Sequence, residues 1–213
     1  DANNLWEDGE EQVMARALMK ADKSPECANG SCVFIDGGAA FGYYSLLAYH
    51  KAPQLLVHSF NPHPRFVKQM MDNLILNRVE RGVCIHQIGL ASNKTQFGTL
   101  EYGTGTTIHA DNLDFSSNRV RLTTLDTFIA RHVYPSNKHV VVVKLDIEGF
   151  AGEALRGATK LVHSQQVKVW FIGIHNTKEK LDATAILSDA GYTVVSIVRG
   201  SANPNDAIVA TLP

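Results

Sequence analysis

The sequence is short of cysteine, has no excess of either charge and contains no long apolar run. Its three cysteines, Cys27, Cys32 and Cys84, are too few for a disulfide scaffold and lack the spacing of a zinc site, so no metal is expected. Twenty Lys and Arg stand against 21 Asp and Glu, giving a net charge of −1. No run of five like charges occurs. The electrostatic footprint of a nucleic-acid binder is therefore missing, and nucleic acid is not an expected partner. No apolar stretch approaches the ~18 residues of a membrane span. Repeats and low-complexity segments are also lacking.

Asp1 rather than Met stands first, as expected where an upstream segment has been removed, so targeting is not read. Free thiols in a cytoplasmic enzyme are the favoured reading; a Cys27–Cys32 bridge is the alternative if the protein is luminal. Two sequons, Asn29-Gly30-Ser31 and Asn93-Lys94-Thr95, are short matches of a kind that arises by chance, and the favoured reading leaves both unmodified. The oligomeric state is not readable.

Of the 213 residues, 45% are hydrophobic and 19% charged, enough apolar material for a sizeable core. Residues 1–31 read as a helix (Asp8–Ala21) and a lead-in broken by Ser24-Pro25 and Asn29-Gly30. From Cys32 to the end, apolar runs of strand length alternate with helical patterns. Strands are expected at Cys32–Asp36, Gln54–Phe60, Gly82–Ile88, Val120–Leu122, Val140–Asp146, Val167–Ile174, Tyr192–Val198 and Ala207–Thr211. Helices are expected at Tyr43–Tyr49, Pro64–Asn77, Thr124–His132, Gly152–Val162 and Lys178–Ala190. Continuous Val/Ile/Leu runs indicate strands buried on both faces, as in a parallel sheet between helix layers. The last two strands have no helix between them and should pair antiparallel. Gln96–Asn118, rich in Gly, Thr, Ser and Asn, reads as an inserted hairpin and loop near the substrate, with β-like pieces at Phe97–Tyr102 and Thr106–His109. One domain, 32–213, accounts for the rest.

Four stretches carry chemistry. Asp36 ends the first strand and leads into Gly37-Gly38-Ala39-Ala40-Phe41-Gly42. Such a turn lets a ligand approach the backbone and helix N–H groups, or merely allows close helix–strand packing. As Gly37-x-Ala39-x-x-Gly42 it is a damaged dinucleotide fingerprint. As Asp36-x-Gly38-x-x-x-Gly42 it suits S-adenosylmethionine better, because a carboxylate repels a pyrophosphate and attracts an ammonium and a sulfonium. Asn61, at the end of the second strand, stands where a ribose is held; it could equally start a turn before Pro64. Gly89 and Leu90, beyond the third strand, are grouped with these cofactor residues. Lys144, Asp146 and Glu148 share one side of the fourth-strand tip, as acid/base groups, substrate or cation holders, or mere dipole partners of the next helix. His175, at the tip of the following strand, is suited to general-base work or to a loop hydrogen bond. His63, His86 and His109 are less well placed, and His139 starts its strand at the opposite edge.

In this order, these stretches resemble the FkbM family of S-adenosylmethionine-dependent methyltransferases. The resemblance runs from Val33 to Asn176. It rests on Thr124-Leu125-Asp126, on Lys144-Leu145-Asp146-Ile147-Glu148-Gly149, on Leu155-Arg156-Gly157-Ala158 and on the turn residues Asp36, Gly38, Ala39 and Gly42. It implies a Rossmann-like class I methyltransferase with a mostly parallel seven-stranded sheet, helices on both faces and an antiparallel last strand. It also implies S-adenosylmethionine as cofactor and O-methylation of a sugar, glycan or small-metabolite hydroxyl. His175 and Asp146 are then the candidate bases, with Glu148 holding substrate or a cation. The family usually has Asn at Ala40, Glu at Asn61 and Glu at Gly173. Each departure removes a polar group, which makes a non-catalytic binding module the rival reading. A nicotinamide-dependent oxidoreductase is a further rival, disfavoured by Asp36.

Overall fold

The computed structural model describes residues 9–79, 82–92, 97–102, 106–109, 119–197 and 206–213, with 97–102 and 106–109 as backbone. Strand β1 (Cys32–Gly37) is buried along its whole length. Its alternation sends Val33 and Ile35 into one core and Cys32 and Phe34 into the other. On one side of β1 lie β2 (Leu55–Phe60) and β3 (Val83–His86), both parallel to it. On the other lie β8 (His139–Leu145) and β9 (Val169–Gly173), also parallel. Two later strands, β10 (Thr193–Ile197) and β11 (Ala207–Thr211), complete the sheet in the order β3-β2-β1-β8-β9-β11-β10. The last strand, β11, is antiparallel to both neighbours and sits between β9 and β10. The seven-stranded sheet, its parallel body and its antiparallel last strand are those expected from the sequence. The insertion of the last strand between two earlier ones is new.

Helices cover both faces. Val13, Met14 and Leu18 of α1 (Glu10–Asp22), Ala48 of α2 (Tyr43–Lys51) and Met70 and Leu74 of α3 (Pro64–Leu76) fill one core. Phe128 and Ile129 of α4 (Leu125–His132), Ala154 and Leu155 of α5 (Ala151–Arg156), Leu161 and Val162 of α6 (Thr159–His163) and Ala183 and Leu187 of α7 (Thr177–Asp189) fill the other. Among the described residues no helix is long and apolar enough to cross a membrane.

Three local findings correct the sequence reading. The single helix expected over Gly152–Val162 is two, α5 and α6, parted at Gly157-Ala158. The break is at Ala158 (φ −117°, ψ 24°), and a Cβ on the preceding Gly157 would lie 2.0 Å from the Ala91 carbonyl oxygen, so glycine is required where the two helices part. Second, β8 carries a bulge: Val33 pairs with Val140 but Phe34 with Val142. The extra residue flips every later side chain of β8 to the opposite face. Third, Cys27 and Cys32 are joined by a disulfide, not free. The short turn of residues Pro25–Gly30 folds back on β1 and brings the two Cα atoms within 4.8 Å, well inside bridging range.

The hairpin expected at 96–118 is present as β5 (Phe97–Tyr102) and β6 (Thr106–His109), antiparallel to each other. With β7 (Arg119–Thr123) and β4 (Gly89–Leu90) they form a second sheet in the order β4-β7-β5-β6. The rest of that expected insertion, and the side chain of His109, lie outside the described residues.

Candidate active site

All five parallel strands from β3 to β9 end at one edge, and β1 and β8 flank the switch point there. Asp36, next to last in β1, does not reach that edge. It faces α2, where its carboxylate accepts from Ser45 Oγ at 2.6 Å and pairs with Lys144 Nζ at 3.2 Å. Ser45 in turn bonds Ser59 Oγ at 2.7 Å. All four residues are buried. The pairing registers explain the cluster, since Asp36 stands level with Ser59 on β2 and with Lys144 on β8. The β8 bulge is what turns Lys144 to this face. Inside the fold the Asp36 charge is met by the Lys144 ammonium. Lys144 does not accompany Asp146 and Glu148. Its ammonium lies over the Tyr44 ring, 5.1 Å from the centroid.

Beyond Asp36 the chain makes its glycine turn. Gly38 and Ala39 both donate their N–H to the Phe60 carbonyl at 3.0 Å, tying the turn to the tip of β2. Gly38 has φ +75°, and a Cβ there would lie 2.0 Å from the Asp146 carbonyl. The adjoining loop after β8 thus by itself demands glycine at 38. A Cβ on Gly42, which takes φ +85°, would lie 2.8 Å from Met70 Cγ, and this glycine opens α2 without a side-chain cap. Ala40 takes φ +45°, a left-handed conformation that costs a residue with a Cβ about 1–2 kcal/mol.

Asn61 is buried just after β2. Its Oδ1 accepts from the His63 N–H at 2.9 Å, the turn-forming role weighed in the sequence, leaving the Nδ2 amide as its donor. A groove of about 500 Å³ begins at neighbouring Pro62 and is lined also by Gln87, Arg119, Val120 and Arg121. Gly89 and Leu90 are buried in β4, and Leu90 packs into the main core.

Asp146, Glu148 and His175 do come together. His175 Nε2 lies 3.3 Å from Asp146 Oδ1 and 3.6 Å from Glu148 Oε2. A third carboxylate, unforeseen, completes the cluster. Glu179 Oε2 accepts the His175 backbone N–H at 2.8 Å and stands 3.4 Å from Nδ1; its Oε1 accepts the Ala151 N–H at 2.9 Å. The Glu179 side chain is wholly buried, whereas those of Asp146 and Glu148 are 23% and 48% exposed. Burial by itself would lower the His175 pKa, but the Asp146 and Glu179 hydrogen bonds and the Asp146 and Glu148 charges outweigh it and push the pKa up to about 10. At neutral pH this ring is an imidazolium donating to carboxylates. Glu148 holds its place at φ +52°, ahead of Gly149 at φ +88°. The signal for Glu179 lay in Asn176-x-x-Glu179: Asn176 caps α7 by accepting the Glu179 N–H at 2.8 Å. In an ordinary capping box the glutamate returns to the cap's own N–H. Here it reaches one residue further, to His175.

A model of the methyltransferase FkbM domain matches residues 36–194. The chain belongs to the FkbM methyltransferase family. No curated protein sequence matches it significantly. Among solved structures it is similar to precorrin-6y C5,15-methyltransferase from Geobacter metallireducens, with TM-score 0.54 and 16% identity over 99% of this chain and 92% of that one. It is also similar to an S-adenosylmethionine-dependent O-methyltransferase from Thermotoga maritima, with TM-score 0.54 and 11% identity over 95% and 64%. A third is the N-terminal domain of human METTL16 in complex with S-adenosylhomocysteine, with TM-score 0.50 and 10% identity over 95% and 68%. At these identities the likeness shows the fold, that of Rossmann-like methyltransferases.

This FkbM-family protein is a methyltransferase that uses S-adenosylmethionine, and the nicotinamide reading is set aside. The site's chemistry fits that cofactor. The uncapped start of α2 and the Asn61 amide offer donors at the tips of β1 and β2, and Asp146 and Glu148 offer carboxylates on the loop that touches Gly38. Family membership also explains the Thr124-Leu125-Asp126 motif. Asp126 accepts the N–H groups of Lys160 and Leu161 at 2.8 and 3.0 Å, capping α6 just after the Leu155–Ala158 motif. Those two motifs hold each other in place.

Proposed function

We propose that this protein methylates a hydroxyl oxygen of a sugar, glycan or small metabolite. The observation that carries the reading is the group of Asp146, Glu148 and Glu179 around His175, at the tips of the two strands beyond the switch point. S-adenosylmethionine, when bound, supplies an electrophilic methyl carbon on a sulfonium. The turn at Gly37–Gly42 and the Asn61 amide would hold it, and the carboxylates of Asp146 and Glu148 would complement its positive charge. What remains for the chain is to place an acceptor hydroxyl and remove its proton.

The surrounding carboxylates favour the imidazolium form of His175, so the base we assign is Asp146. Its carboxylate is partly exposed and is oriented by the His175 Nε2–H. An alcohol is a poor acid, but its oxygen becomes strongly acidic as it gives its electron pair to carbon. A weak base positioned beforehand then suffices, and the proton passes to Asp146 as the new C–O bond forms. Glu148, the most exposed member, is placed to accept a second hydroxyl of a polyol acceptor. The near-even charge balance of the chain supports a neutral acceptor of this kind over nucleic acid.

Incubating the protein with methyl-labelled S-adenosylmethionine and a panel of sugars, glycans and small polyols tests the reading. Label should appear in a product stable to alkali, as an ether is and an ester is not, with one S-adenosylhomocysteine per methyl. Tight S-adenosylhomocysteine binding with no label on any hydroxylated acceptor would instead favour the binding module.

A further inference from the structure

The methyltransferase site leaves one sequence motif unused. Asn29-Gly30-Ser31 lies inside the loop closed by the Cys27–Cys32 bridge, at the end of β1 opposite the glycine turn. The two cysteines are fully buried, whereas Asn29 is exposed. Asn29 takes φ +61°, a left-handed conformation that asparagine tolerates. Among the described residues nothing hydrogen-bonds its side-chain amide.

We propose that Asn29 is an N-glycosylation site of a chain that folds in an oxidising compartment. Two independent observations meet there. The sequon is intact and its asparagine faces water, as a bulky glycan requires. The bridge beside it forms and persists where thiols are not kept reduced, which is also where such glycans are added. In the reaction the Asn29 Nδ2 bonds to C1 of a polyprenyl-pyrophosphate-linked oligosaccharide. The C1–O bond breaks with its electron pair going to the pyrophosphate, and the amide gives up one proton to the transferring enzyme. Nothing is oxidised or reduced. In the folded protein the single Ser31 hydroxyl proton is directed at the carbonyls of Glu26 and Ala28, the latter oxygen 3.0 Å away. Transfer therefore precedes the folding of this turn, while the hydroxyl is still open to the enzyme. The six residues of β1 separate Asn29 from the cofactor edge by about 20 Å, so the glycan does not crowd the active site. The other sequon, at Asn93, lies outside the described residues.

One tryptic peptide, Ser24–Lys51, carries Asn29 and both cysteines. It should be examined by mass spectrometry in protein purified from its native source. After peptide N-glycosidase treatment in heavy-oxygen water, position 29 should read as isotopically labelled Asp. A parallel digest without the glycosidase removes spontaneous conversion at Asn29-Gly30. The same peptide should resist alkylation until reduced. In a eukaryotic secretory host, Ser31→Ala and Asn29→Gly should each lose the glycan and Ser31→Thr should keep it, all with unchanged S-adenosylhomocysteine affinity. A bare Asn29 in the native protein, with the bridge open or closed, overturns the proposal.

Discussion

Replacing Glu179 by Gln keeps the shape of a buried side chain and removes its charge. The carboxylate accepts two backbone N–H groups, from His175 at 2.8 Å and Ala151 at 2.9 Å, and neighbours the His175 ring. A glutamine oxygen can accept only one of the two N–H groups, and its amide then turns a donor toward the other. A hydrogen bond to a charged group contributes about 1.5–3 kcal/mol, and a buried donor left unpaired costs a similar amount. Glu179→Gln should therefore lose about 3 kcal/mol, or about 6–12 °C in Tm for a chain of this size. The loss should also depend on pH in a defined direction. The folded pKa of His175, about 10, lies above its unfolded value of about 6.5. Its stabilising contribution is complete below pH 6.5 and disappears as pH rises toward 10. The gap between parent and variant should be widest near pH 6 and narrow on the alkaline side. Scanning calorimetry across that range reads the gap, and NMR titration of the His175 ring should show its pKa moving down in the variant. An unchanged Tm at pH 6, or a gap that stays constant to pH 10, would refute the reasoning.

Asp146→Asn should fold normally, bind S-adenosylhomocysteine within a few fold and lose roughly 10²-fold or more in methyl transfer; full activity would remove Asp146 from the mechanism. Lys144→Met should strand the buried Asp36 carboxylate and destabilise by about 3–5 kcal/mol in urea unfolding, and adding Asp36→Asn should restore most of that loss. His58 Nδ1 and His86 Nε2 lie 2.8 Å apart, and burial followed by neighbouring histidine charges lowers both pKa values to about 4. Both rings must stay neutral in the fold, so stability should decline as pH falls from about 6.5 through 4, and His58→Phe should flatten that decline.

The strands of the main sheet were legible because their apolar runs are continuous and of strand length, and the hairpin at 97–109 because its composition breaks that pattern. Asp146, Glu148 and His175 were found as a group because polar residues at successive strand tips share an edge. The direction of Asp36 was not legible. Its face follows from alternation only once the helix covering that face is known, and its partner Lys144 reaches the same face through the β8 bulge, which period two does not reveal. The contact of Glu179 with His175 is not legible either, because it depends on how the first turn of α7 folds back on the tip of β9. The bridge between Cys27 and Cys32 is not legible from their spacing, because their proximity depends on the turn of residues Pro25–Gly30.

The place of β11 bears on how the molecule is made. Its neighbours β9 and β10 meet only through it, so the half of the sheet beyond β8 cannot close until Ala207–Thr211 has left the ribosome. Until then the free edge of β9, with Trp170, Phe171 and Ile172, is an unpaired template open to another nascent chain. Vectorial synthesis thus delivers the part of the sheet holding the glycine turn first and the lock for its far half last. A clone stopping short of Ala207 should give protein that associates through β9, however intact the cofactor half of the molecule.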